Sequence, residues 1–175
     1  MGRRPKHHGN TMYFLTGSAD HHIDDKNRLA IPSKHRSRFN PERDGKGFYL
    51  TISQPKTCLR LYTEREFERQ AAERRPHLLQ PQASTMFNRN FFALAEFVEP
   101  DSQGRIVVPE RLMRYSGMPR EVVITGAGAY LEIRPKSSFE AEMIDFVEQY
   151  DEHYERALKA ESGTRRQPDP ETESG

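Results

Sequence analysis

The chain is expected to fold as an α+β protein built from two tandem, pseudo-symmetric halves, and two observations predict this. The first is a nine-residue pattern that occurs twice. Asp24-Asp25-Lys26-Asn27-Arg28-Leu29-Ala30-Ile31-Pro32 returns as Asp101-Ser102-Gln103-Gly104-Arg105-Ile106-Val107-Val108-Pro109, offset by 77 positions. Each copy has an acid, three small or polar residues, an arginine, three apolar residues and a proline. The second is that the flanks repeat as well. Phe14 and Phe91 precede the copies at the same offset, while Leu59-Arg60-Leu61 and Leu131-Glu132-Ile133, then Phe67 and Phe139, follow at an offset of 72. The second copy is therefore shorter after its proline, in a stretch that reads as loop. A duplicated unit implies a pseudo-two-fold axis, and function is expected on what both halves present.

Taken in order, residues 12–23 carry strand formers and lead into the first motif. Arg28 to Ile31 alternates polar and apolar, as a half-buried strand does, and Pro32 stops it. Pro32 and Pro109 each suit the first turn of a short helix, where a missing N–H is harmless. Met113, Tyr115 and Gly117 predict that the second of these helices ends at a glycine cap. Phe48–Ile52 and Cys58–Tyr62 read as a hairpin around Gln54-Pro55-Lys56. Val122–Ile124 and Tyr130–Ile133 repeat it around Gly126-Ala127-Gly128. Each hairpin runs into a helix: Thr63 with Glu66, and Ser137 with Glu140, have capping-box spacing. The alternating charges of residues 64–75 mark a solvated helix face. After a break between Pro76 and Pro81, Met86, Phe87, Phe91 and Phe92 predict a short helix leading to a strand over Ala93–Val98. Phe139, Met143, Phe146, Tyr150, Tyr154 and Leu158 form an apolar stripe along one long last helix. That stripe is read as packing within the chain or as subunit contact.

Composition narrows the function classes. Charged residues make up 30% of the chain and the net charge is +1, with a mean hydropathy of −0.91. Part of that polarity lies in the ends, so residues 1–11 read as a disordered basic arm and residues 161–175 as a disordered tail. Between them, residues 12–80 and 81–160 form the two repeats, the second ending in the long helix. No apolar run is long enough for a membrane span or a signal peptide, which predicts a cytoplasmic protein. Cys58 is the only cysteine, so no internal disulfide forms, and its apolar setting marks it as packing. His7-His8 and His21-His22 have no supporting ligand spacing, so no metal and no cofactor are expected. A near-neutral total argues against indiscriminate nucleic-acid binding, yet Lys26, Arg28, Lys34, Arg36, Arg38, Arg43 and Lys46 cluster after the first motif.

The motif itself has a physical reading. An aspartate can accept the backbone N–H two residues on and fix a tight turn. Gly104 supplies a position that takes positive φ, and Asn27 holds the equivalent place with the side chain best suited to it. Asp24, Asn27, Asp101 and Gly104 are thus turn-shaping residues, leaving Lys26 and Arg28 to point outward. Arginine offers a rigid donor fork for phosphate oxygens or a guanine edge. The simpler reading is that Asp24–Arg28 and Asp101–Arg105 are ion pairs that only shape the turn. Local pattern leaves both open. No nucleophile–base pair or phosphate-cradling loop accompanies the motif, so no enzyme is expected.

The two motifs, with their downstream strands, resemble those of the MraZ family, which is encoded at the head of the bacterial division and cell wall gene cluster. The resemblance runs from about Met12 to Leu158. It implies an AbrB-like fold in which swapped hairpins of the two halves make a small β-barrel with peripheral helices. It also implies a DNA-binding transcriptional regulator that assembles into a ring-like homo-oligomer and binds direct repeats in double-stranded DNA of its own promoter. Such a protein would sit on the nucleoid. The family's DNA contact carries over to Arg28 and Arg105, with Lys26, Lys34 and Arg36 extending the basic surface. Two departures stand out: Asn27 replaces the usual glycine, and Gln103 stands where lysine is common, so the first motif is expected to dominate phosphate contact. An antitoxin-like protein-interaction module working through Phe139–Leu158 is the other reading.

Overall fold

The computed structural model describes residues 14–74 and 81–164. The expected basic arm, the break between Pro76 and Pro81, and the tail from residue 165 lie outside the described residues. Residues through Lys136 form one compact unit and Ser137 onward a second.

In the first unit the strands are β1 (Ser18–His22), β2 (Arg28–Ala30), β3 (Phe48–Ile52), β4 (Leu59–Thr63), β5 (Glu96–Val98), β6 (Arg105–Val107), β7 (Glu121–Gly126) and β8 (Leu131–Pro135). Six of them form one antiparallel sheet in the order β1-β7-β8-β4-β3-β5, and β2 pairs with β6 in a separate ribbon. The order reads the same from either end once the halves are interchanged. A dyad passes between β8 and β4, where Arg60 faces Glu132 in register and Arg60 Nε donates to Glu132 Oε1 at 2.9 Å. Each half lends its first strand to the other: β1 lies on β7, and β5 lies on β3. The two repeats are therefore interleaved rather than set side by side.

The sheet is open, which departs from the closed barrel that was expected. The reason is local. Each edge strand, β1 or β5, runs into a tight turn, and the short strand that leaves the turn pairs with its counterpart from the other half instead of bridging the sheet edges. The ribbon has its own dyad at Leu29 and Ile106, which are register partners and are almost wholly buried. They join Leu50, Leu59, Val122, Leu131 and Ile133 in one core.

Short helices connect these strands. Pro32 and Pro109 occupy the N-cap positions of α1 (Ser33–Arg36) and α5 (Glu110–Ser116), one place earlier than anticipated. The latter helix ends at Gly117, whose φ of 66° lets the chain reverse. An extra turn, α2 (Pro41–Asp44), fills the longer loop of the first half and is capped by Asn40, whose side chain accepts the Glu42 N–H. α3 (Glu64–Glu73) starts at Thr63, which accepts the Glu66 N–H at 3.2 Å. α4 (Gln82–Leu94) adds Phe91 and Phe92 to an aromatic cluster on Phe67, which itself stacks on Tyr49 with ring centroids 4.2 Å apart.

In the second unit the single long helix becomes two, α6 (Lys136–Glu148) and α7 (Tyr150–Thr164), with one turn residue between them. Hydrogen bonds still run from Gln149 N–H to the Asp145 carbonyl and from His153 N–H to the Gln149 carbonyl. The helix reaches Thr164, so residues 161–164 are helical where a disordered tail was expected. Lys159, Ala160 and Glu161 are strong helix formers and no proline intervenes, so the backbone continues after the apolar pattern stops at Leu158. Among the described residues no helix is long and apolar enough to cross a membrane.

Candidate nucleic-acid interface

Each motif forms the same turn. Asp24 Oδ1 accepts the N–H groups of Lys26 at 2.9 Å and Arg28 at 2.8 Å, and its other oxygen accepts Arg28 Nε at 2.7 Å. In the second half Asp101 Oδ1 accepts from Gln103 at 2.9 Å and Arg105 at 3.0 Å, and Oδ2 accepts Arg105 Nε at 2.8 Å. One carboxylate therefore fixes two backbone donors and one guanidinium. The chain reverses through a left-handed residue in both turns, Asn27 with φ of 58° and Gly104 with φ of 75°.

The turns are also joined to each other. The Asn27 carbonyl accepts the Val108 N–H at 2.8 Å, and the Gly104 carbonyl accepts the Ile31 N–H at 3.0 Å. These bonds are equivalent under the dyad. Strand alternation then sorts the side chains: Leu29 and Ile106 enter the core, while Arg28, Ala30, Arg105 and Val107 share the opposite face. Val107 is 55% exposed there. Arg28 and Arg105 are diagonal neighbours across the ribbon, at a spacing of roughly 7–8 Å between backbone positions by sheet geometry. Two ion-paired guanidiniums, one from each half, thus stand together on one surface. Their side chains remain 34% and 30% exposed.

The remaining residues of the expected basic surface lie around this ribbon. Lys26 is exposed within the first turn. Lys34 and Arg36 are exposed on α1, and each already holds a backbone carbonyl: Lys34 Nζ donates to Ser18 at 2.8 Å, and Arg36 Nη1 to Gln103 at 2.7 Å. Between them His35 is buried, and its desolvation lowers the imidazole pKa from the ordinary histidine value. His21 and His22 fall on opposite faces of β1, and His22 Nδ1 lies 2.8 Å from Glu121 Oε1. Sequence reasoning missed Arg120. Its Nη1 donates to the Asp24 carbonyl and to Asn27 Oδ1, each at 2.7 Å. The one signal that pointed there was Asn27 itself, an amide at a glycine position that invites a donor.

The turn geometry has an acid–base consequence. The Arg105 side chain and its backbone N–H hold the Asp101 carboxyl well below the usual carboxylate range, at about 2. Asp24 is lowered too, first by the backbone N–H of Arg28. A carboxyl that is more acidic in the fold than in the unfolded chain adds its stabilisation in full above the unfolded value of about 3.8. That contribution disappears as pH falls through about 2. A carbon-detected NMR titration should find Asp101 with a midpoint near 2, and Arg105→Ala should move it back toward the ordinary value. An unshifted Asp101 in the parent chain would contradict the pairing.

Fold and site together define a duplicated α+β protein that presents one turn from each half on a shared ribbon. The family described as "MraZ protein, putative antitoxin-like" matches residues 14–90 and again residues 91–161, and the chain belongs to this family. It is similar to the transcriptional regulator MraZ of Parafrankia sp. (strain EAN1pec), 34% identical over 145 residues, or 83% of this chain and 97% of that protein. The protein of the same name from Frankia alni is 33% identical over the same shares. That of Clavibacter michiganensis subsp. michiganensis is 35% identical over 120 residues, 69% of this chain and 80% of that protein. With this membership, the chain is not an enzyme.

Proposed function

We propose that the chain is a sequence-specific, DNA-binding transcriptional regulator of the division and cell wall gene cluster. Its surface for double-stranded DNA is the outer face of the β2–β6 ribbon. The observation that carries this is the reciprocal joining of the two turns, which sets Arg28 and Arg105 side by side on one rigid element. A guanidinium has five N–H donors, and the aspartate occupies only part of that fork, so the rest serve phosphate oxygens or a guanine edge. Lys26 adds charge on the first turn, and Lys34 and Arg36 flank it from α1. The interleaved strands agree with the swapped-hairpin arrangement of AbrB-like regulators, and the relatives carry a regulator's name. One chain offers few contacts, so affinity comes from a ring-like homo-oligomer engaging direct repeats in its own promoter. Such a protein works in the cytoplasm, on the nucleoid.

A second reading, an antitoxin-like interaction module, has one observation in its favour. Along α6 and α7, Ile144 and Val147 are 62% and 64% exposed, and Tyr150 and Tyr154 exceed half.

The test is a salt series of binding to the DNA upstream of the chain's own gene, against a scrambled duplex. The expected result is a specific complex whose affinity falls with a log–log slope of about −0.9 per phosphate neutralised. Equal, weak binding to both duplexes would overturn the reading.

A further inference from the structure

We propose that Arg120 is the positioning residue of the first turn, supplying from the second half the restraint that a glycine would otherwise make unnecessary. The argument starts from the difference between the two turns. At the left-handed position the second turn has Gly104, for which φ of 75° is unstrained. The first turn has Asn27 at φ of 58°, a region that any residue with a Cβ enters at a cost, asparagine least.

Arg120 offsets that cost through a single nitrogen. Its Nη1 carries two hydrogens, and its two acceptors are Asn27 Oδ1 and the Asp24 carbonyl. The same carbonyl accepts the Asn27 N–H at 2.8 Å, which is the bond that closes the turn. The arginine therefore grips the asparagine side chain and the start of the turn at once. Its own backbone is fixed, because the Arg120 carbonyl accepts the Ile23 N–H at 2.9 Å, one residue before Asp24.

The second turn uses the reverse device. A Cβ on Gly104 would overlap the Arg36 side chain, so the glycine leaves room for an arginine that reaches the Gln103 carbonyl beside it. One turn extends an amide toward its brace, and the other removes a side chain to admit it. Each brace comes from the opposite half, which couples the geometry of the two turns.

The inference rests on the DNA reading only for its effect on affinity, so its test has two arms. In the first, amide hydrogen exchange is compared between residues 24–28 and 101–105. Arg120→Met should speed exchange at the Lys26 and Arg28 amides by about three- to tenfold while leaving Gln103 and Arg105 unchanged. Arg120→Lys, whose ammonium also carries several hydrogens on one nitrogen but on a stem of different reach, should fall between the parent chain and Arg120→Met. Adding Asn27→Gly to Arg120→Met should restore slow exchange. Unchanged exchange in Arg120→Met, or no rescue by Asn27→Gly, would each overturn the proposal.

In the second arm, Arg120→Met should weaken binding of the upstream duplex by a similar factor with its salt slope unaltered. A slope shallower by about 0.9 per chain would make Arg120 a phosphate contact and overturn its positioning role. If the parent chain binds no DNA while the exchange pattern holds, the DNA reading falls and the brace stands.

Discussion

Replacing Ile106 by alanine is expected to lower the unfolding free energy by about 2–5 kcal/mol, and Leu29→Ala to do the same. Both side chains are essentially inaccessible, at 0% and 1% exposure. They face each other at the ribbon's dyad. Truncating either leaves a cavity under the two turns. The double variant should cost less than the sum, because the second truncation opens onto a cavity already made. Val107→Ala serves as the control. It lies on the same ribbon but on the exposed face, and its effect should stay within about 0.5 kcal/mol. Urea unfolding followed by circular dichroism separates these outcomes. An Ile106→Ala variant as stable as Val107→Ala would mean that the ribbon is not part of the core.

Arg28→Ala is expected to reduce binding of the upstream duplex far more than one phosphate contact would suggest, since every subunit of an oligomer loses the group together. The salt slope should become shallower by about 0.9 for each phosphate contact removed. Arg105→Ala should follow the same pattern with a smaller effect, because Gln103 leaves the second turn with less positive charge than Lys26 gives the first. Fluorescence-anisotropy titrations at several salt concentrations measure both quantities. Thermal unfolding of the same variants guards against a loss caused by turn collapse, since each substitution also leaves its aspartate without an ion-pair partner. Binding and slope that match the parent chain in the Arg28→Ala, Arg105→Ala double variant would remove DNA from the ribbon's function.

Much of this architecture was legible because the duplication made each half a check on the other. The spacing from Asp24 to Arg28 already contained the turn: a short acceptor side chain, two amides within its reach, and a residue tolerant of positive φ. The hairpins showed as β-branched and aromatic runs, and Thr63 and Gly117 marked helix ends through their own chemistry. What stayed hidden was long-range. Nothing in the neighbourhood of Ser18–His22 says that these residues pair with Glu121–Gly126 rather than with a strand of their own half. Nor does residue 120, an arginine in a polar stretch, announce that it reaches back to Asn27. The open sheet and the separate ribbon likewise depend on which edge each short strand finds. The break at Gln149 has no proline or glycine to mark it.

The exchange of first strands has a consequence for how the chain is made. Ser18 pairs with Thr125 and His22 with Glu121, so the N-terminal strand leaves the ribosome long before its partner exists. At about 5–20 residues per second, the wait is on the order of 5–20 s. During that interval β3 and β4 can form their hairpin, but each has an edge that only the later half supplies. The nascent first half is thus a sheet with open borders, and its safety against pairing with a neighbouring nascent chain depends on how quickly the second half arrives.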